Sequence, residues 1–216
     1  MKETKKLLYA TSNSGKIFEV GKLLKFYGIE MISPKDLKID IEVPETGKTL
    51  EENAALKVNT YLRVVGDDIV VMADDTGAGI DVLNGEPGIH VRRWKDKKTA
   101  MTDQEILNYT LERLKGVPYE KRTANMRTII ALGAKKGGIE LFEGKVDGLI
   151  LEEAIPEYNM EGFPFEGIFF VPSWGKKGLV LGEAHRMPSK QKEKFLSHRE
   201  KAVKAAITRI RQLLKS

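Results

Sequence analysis

The 216-residue sequence contains no cysteine. Disulfides, thiolate metal sites and cysteine nucleophiles are therefore excluded. Histidine is scarce: His90, His185 and His198 are the only three, so a bound metal must sit on carboxylates or on these three. No apolar run approaches the roughly 20 residues that span a bilayer. The apolar stretch within the basic start, "MKETKKLLYATSNSGK", is too short for a signal peptide. The expected setting is the cytoplasm, with no membrane partner. An excess of one charge is also missing. The 36 Lys and Arg oppose 31 Asp and Glu, a formal net of +5, with the signs interspersed. The densest basic patch, "RRWKDKK" at Arg92–Lys98, is short and holds an acid, so it reads as solvated surface rather than a nucleic-acid site.

What is present is patterned. Repeats, low-complexity tracts and long linkers are absent, so one domain over 1–216 is expected. Lys6–Ala10 reads as a strand. Ser12–Lys16 then turns the chain into a helix with Ile17, Val20, Leu23 and Leu24 at helical spacing and Gly28 as its stop. Glu30–Ser33 is a second strand. Thr49–Val64 is helical, opened by Thr49 and Glu52 in capping-box spacing. Ile69–Ala73 is a short buried strand. Thr102–Leu114 is helical, and Val203, Ala206, Ile207, Ile210, Leu213 and Leu214 make one stripe of a closing helix. Between these helices, Thr123–Leu132, Ile139–Val146, Leu149–Glu153 and Ile168–Val171 read as separate strands. Strand–helix alternation followed by consecutive strands predicts an α/β fold with a long mixed sheet flanked by helices.

Five stretches carry candidate chemistry. "ATSNSGK", Ala10–Lys16, passes from strand to helix. Small residues there let backbone N–H groups meet an anion at a helix N-terminus, although the Walker A spacing is absent. An ordinary turn explains it equally well. "PETGKTLEENAALK", Pro44–Lys57, offers Glu45 as an oxygen ligand and Lys57 as a cation. "VVMADDTGAGID", Val70–Asp81, sets Asp74 and Asp75 side by side. At the end of a strand both could turn toward one cleft and hold a hard cation, or one could take a proton from water. A capped turn is the plain alternative. "EGFPFEGIFFVP", Glu161–Pro172, could stack and hydrogen-bond a base, though such aromatics are more often core. "SHR", Ser197–Arg199, offers a guanidinium fork or merely a helix start.

The order of these stretches resembles the inosine/xanthosine triphosphate pyrophosphatases, the Ham1-like enzymes, over nearly the whole chain. The resemblance implies two lobes around a central cleft, a homodimer, and Mg²⁺-dependent hydrolysis, with Mn²⁺ as the alternative metal, of ITP, dITP or XTP to monophosphate and pyrophosphate. It implies Asp75 as proton acceptor and metal ligand, Asp74 as its support, and Glu45 as the second metal carboxylate. Thr11, Ser12, Asn13, Ser14, Gly15 and Lys16 correspond to the triphosphate turn, Lys57 to a phosphate-facing lysine, and Thr76 and Gly77 to backbone beside substrate. Phe163, Pro164, Phe165 and Glu166 correspond to the base-binding stretch, His198 and Arg199 to the readers of the base carbonyl, and Lys192 to a lysine ahead of them. Three departures stand out. "GFPFEG" replaces a glycine–aromatic–aspartate pattern, which leaves base preference open. Ser12 replaces a glycine. Glu193 occupies the expected lysine register. A Maf-like pyrophosphatase with another base preference and a non-catalytic nucleotide- or RNA-binding protein are the alternatives.

Overall fold

The computed structural model describes residues 5–216. In chain order the elements are β1 (Lys6–Tyr9), α1 (Ser14–Phe26), β2 (Met31–Ile32), α2 (Leu50–Leu62), β3 (Ile69–Ile80), β4 (Glu86–Gly88), α3 (Asp103–Arg113), β5 (Thr123–Ala134), β6 (Glu140–Ile150), β7 (Phe169–Val171), β8 (Leu179–Val180), α4 (Leu181–Arg186), α5 (Ser189–Lys192) and α6 (His198–Lys215). The strands make one eight-stranded sheet in the order β2-β1-β3-β5-β6-β7-β8, with β4 paired to β3. β1 runs parallel to β2 and β3, whereas the β3–β4, β6–β7 and β7–β8 pairs are antiparallel. This is the mixed α/β architecture that the alternation of elements predicts.

Local chemistry sets the helix starts. Asn13 caps α1 by accepting from Lys16 N at 3.0 Å, which satisfies one orphan donor of the first turn. Gly28 follows α1 at φ +70°, a left-handed position that glycine takes without a Cβ clash. Thr49 caps α2 through Glu52 N at 3.1 Å. The reciprocal half of the expected box is not made by Thr49. Glu52 Oε2 reaches one residue further back and accepts from Lys48 N at 2.6 Å. Thr102 and Glu105 form the full reciprocal box at the start of α3.

Two strand boundaries differ from expectation. β3 does not stop at Ala73 but continues through Asp74, Asp75 and four small residues, Thr76 to Gly79, to Ile80, where β4 pairs with its far end. Glycines at 77 and 79 weaken intrinsic strand preference, so tertiary pairing extends this strand. The segments expected at Ile139–Val146 and Leu149–Glu153 are not two strands: one strand, β6, runs unbroken from Glu140 to Ile150, and residues 151–153 lie beyond it. Asp147-Gly148 resembles a turn. Gly148 instead answers close packing: a Cβ there would lie 2.4 Å from Phe170 O.

The chain packs as two compact units. The first comprises the residues up to Thr76, Thr128–Gly144 and His198–Ser216, and the second Gly77–Arg127 and Lys145–Ser197. In the first unit, β1 and the start of β3 are almost wholly buried, with Leu8, Val70, Val71 and Met72 fully inaccessible. Val20 and Leu24 of α1, Ala54 and Val58 of α2, and Ala202, Val203 and Ala206 of α6 are equally buried. In the second unit the apolar cluster includes Ile80, Ile106, Leu114, Ile150, Ile168, Phe169 and Trp174. Among the described residues, no helix is long and apolar enough to cross a membrane.

Gly144 on β6 admits the first turn of α6. A Cβ there would lie 2.0 Å from His198 O and 2.4 Å from Ala202 N. Gly144→Ala is expected to destabilise the protein by about 2 kcal/mol through overpacking, read as a lowered urea midpoint with an unchanged m-value.

Candidate active site

Asp74 and Asp75 both lie within β3, not past its end. The expectation that both swing toward one cleft is corrected, because successive strand side chains project to opposite faces. Each carboxylate therefore has its own company.

Asp74 is 2% exposed and saturated with donors. Tyr9 Oη donates to its Oδ1 at 2.7 Å. Its Oδ2 receives Lys16 Nζ at 2.9 Å, Arg199 Nε at 3.1 Å and Thr76 Oγ1 at 3.2 Å. Arg199 Nη1 is paired with the buried carboxylate of Glu19, and its Nη2 donates to Thr76 Oγ1 at 3.2 Å. Thr76 Oγ1 also shares a 2.6 Å hydrogen bond with Thr128 Oγ1. Burial pushes the Asp74 carboxyl upward, but Lys16, Arg199 and Lys57 outweigh it and hold the group well below the usual carboxylate range. Burial lowers Lys16 against the opposing pull of Asp74. It raises Tyr9 well above the ordinary phenol value, with the negative charge of Asp74 adding to the rise. Asp74 is thus a fixed anion in a hydrogen-bonded ionic network.

Asp75 faces α2. Asn53 Nδ2 donates to its Oδ2 at 3.0 Å, and Lys57 Nζ to its Oδ1 at 3.2 Å. Asn53 and Lys57 are four residues apart and so share one helix face. Lys57 Nζ also meets Glu45 Oε1 at 2.7 Å and the Asp74 carbonyl at 3.1 Å. Burial pushes the Asp75 carboxyl up; Lys57 pulls it down and Glu45 raises it, leaving it above the ordinary value. A raised carboxyl is a better proton acceptor than an ordinary one. Glu45 and Asp75 come from separate segments, and an oxygen of each meets the same ammonium. Two hard-oxygen donors converging on one cationic position fit a divalent cation such as Mg²⁺.

The other expected residues are placed as follows. Thr11, Ser12 and Asn13 lie in the β1–α1 turn, where Asn13 N donates to Thr11 Oγ1 at 3.2 Å, and Ser14 and Gly15 open α1. Ser12 is not among the residues with positive φ, so its replacement of glycine brings no left-handed strain. Gly77 is buried in β3. The guanidinium of Arg199, expected to read a base carbonyl, instead directs its nitrogens to Glu19, Asp74 and Thr76. His198 is buried at the start of α6. In the second unit, Phe165 joins the apolar core. Glu166 Oε2 lies 2.7 Å from His185 Nδ1, and the Phe163 ring sits 5.9 Å from that imidazole. Pro164 completes this turn, and Lys192 is buried in α5. Sequence reasoning passed over Tyr9, Glu19 and Asn53. Only Asn53 carried a readable signal, its i, i+4 spacing to Lys57.

The sequence pattern of the Ham1 family matches residues 7–209. A dITP/XTP pyrophosphatase of Clostridium perfringens is 36% identical over 98% of this chain and 100% of its own length. A dITP/XTP pyrophosphatase of Leuconostoc mesenteroides is 39% identical over 79% of this chain and 83% of its own. Among solved structures, the Staphylococcus aureus Ham1 protein superposes with a TM-score of 0.72 at 29% identity, covering 96% of this chain and 99% of that one.

Asp74→Asn leaves buried Arg199 and half-buried Lys16 short of an anion, which is expected to cost about 3 kcal/mol near neutral pH. The native Asp74 carboxyl is depressed, so its stabilisation is complete above the ordinary value of 3.8 and fades as pH falls toward the native value. Urea unfolding of both proteins at pH 7 and pH 3 should show the gap between them shrinking at the lower pH.

Proposed function

Because the chain belongs to the Ham1 family, we propose that it hydrolyses non-standard purine nucleoside triphosphates such as dITP, XTP and ITP to the monophosphate and pyrophosphate. The observation that carries this reading is the meeting of Glu45 and Asp75 at one ammonium beside the Lys16–Asp74 pair. Carboxylates for a cation and a proton, next to lysines for a polyanion, are what an attack of water on a triphosphate requires. The dITP/XTP pyrophosphatase relatives support the same substrate class.

In this reading Lys57 leaves the carboxylates for phosphate oxygens when the triphosphate binds. Lys16 stays on Asp74 and presents its remaining N–H bonds to phosphate, joined by backbone N–H groups of the turn at 11–15. Glu45 and Asp75 would hold Mg²⁺, which when bound would neutralise phosphate charge and polarise the anhydride. Asp75 takes a proton from the attacking water. The water oxygen bonds to the α-phosphorus, the bond to the bridging oxygen breaks, and pyrophosphate departs. Thr76 and Gly77 supply backbone beside the substrate. Phe163–Glu166 and His198 are assigned to the base, with Lys192 as their accompanying cation. Arg199 acts differently from the first expectation: with its nitrogens on Glu19, Asp74 and Thr76, it braces the anion that holds Lys16. The same reading takes the protein as one two-lobed domain and as a cytoplasmic homodimer.

Pyrophosphate release should be measured from dITP, XTP, ITP, dUTP and the four common triphosphates, with and without Mg²⁺. Preferential, Mg²⁺-dependent release from the first three is expected; preference for dUTP or another pyrimidine would favour the Maf-like alternative. Asp75→Asn should lower kcat by at least a thousandfold while retaining the native circular dichroism spectrum. Arg199→Ala should slow ITP and ATP turnover alike. A selective loss on ITP would return Arg199 to the base.

A further inference from the structure

The geometry points to Asn53 as a positioning residue that orients the Asp75 carboxylate and ties it to the loop bearing Glu45. This rests on the role given to Asp75 above. Asn53 is 3% exposed, on the inner face of α2. Its carboxamide is used at both ends. Gly47 N donates to Oδ1 at 2.8 Å, and Nδ2 donates to Asp75 Oδ2 at 3.0 Å. The first bond decides the second. An amide whose oxygen faces Gly47 N–H must turn its NH₂ toward Asp75, so the flip is set by the loop. Asp75 then has one donor on each oxygen, Asn53 on Oδ2 and Lys57 on Oδ1. Lys57 is a flexible cation that phosphate can draw away. Asn53 is neutral and buried, so its hold on Oδ2 persists while Oδ1 works. Gly47 belongs to the same device. A Cβ there would lie 2.6 Å from Asn53 Oδ1 and 2.9 Å from Asn53 N, so only glycine lets the loop approach this closely. Glu45 is two residues away, so one side chain sets the spacing between the loop carboxylate and the strand carboxylate.

The test uses three variants of the full chain. Asn53→Asp keeps an acceptor for Gly47 N but removes the donor to Asp75. Asn53→Ala removes both bonds, and Gly47→Ala pushes on the strut from the partly exposed loop. For dITP hydrolysis at saturating Mg²⁺, each should lower kcat ten- to a hundredfold and leave KM within about threefold, because misorientation acts on the transition state rather than on phosphate binding. Asn53→Asp or Gly47→Ala with wild-type kcat, in a protein that melts cooperatively, overturns the proposal. So does a loss confined to KM. If the Asn53 variants do not fold, Gly47→Ala decides. An NMR measurement separates this inference from the reading beneath it. The Asn53 side-chain NH₂ protons should exchange slowly in the wild type and at least tenfold faster in Asp75→Ala. If the wild type releases no pyrophosphate from any triphosphate yet shows this protection, the functional reading fails and the strut stands. Fast exchange in the wild type refutes the strut directly.

Discussion

Neighbouring side chains on a β-strand must face opposite ways, and at Asp74 and Asp75 that constraint makes two different acids out of one dipeptide. Asp74 turns toward β1, α1 and α6, where Tyr9, Lys16, Thr76 and Arg199 surround it. Asp75 turns toward α2, where it meets one carboxamide and one ammonium. The same sequence chemistry therefore yields a carboxyl held far down and a carboxyl held up. Had β3 ended at Ala73, both would share a loop and neither environment would be enforced.

The network around Asp74 is balanced in charge. Two buried acids, Asp74 and Glu19, face Lys16 and Arg199. Burying an ion costs several kcal/mol unless geometry and extra hydrogen bonds compensate. Here Tyr9 and Thr76 provide those bonds from neutral groups. Such an arrangement adds little net stability but penalises any displacement of its members. It places a lysine ammonium beside the β1–α1 turn with its position fixed in advance, which is the form of preorganisation that an electrostatic site needs.

Much of the fold was legible from the sequence because it rests on local signals. Helical spacing found α1, α2, α3 and α6, and caps at Asn13, Thr49 and Thr102 mark three of their starts. The errors lie where packing overrides preference. β3 runs on through its glycines, and Gly148 sits inside β6 because Phe170 O approaches it. The candidate site divides in the same way. Glu45, Lys57 and Asp75 stand in recognisable stretches and meet in the structure. Tyr9 and Glu19 do not announce themselves: the first reads as one more apolar strand residue and the second as a helix surface acid. Their function comes from what lies opposite, which a linear pattern does not encode. Arg199 was noticed for its chemistry and assigned to the base, whereas its contacts are with the interior.

The bond between Arg199 and Asp74 spans 125 residues of chain, and that between Arg199 and Glu19 spans 180. During synthesis the N-terminal strands and helices emerge long before α6 exists. Until then Asp74 has Tyr9, Lys16 and Thr76 but lacks the Arg199 guanidinium that also meets Glu19. Completion of this interior is thus postponed until α6 has been made. Contacts this distant in sequence carry a large loop-closure cost, so the interior around the acidic dipeptide is among the slower parts of the fold to complete.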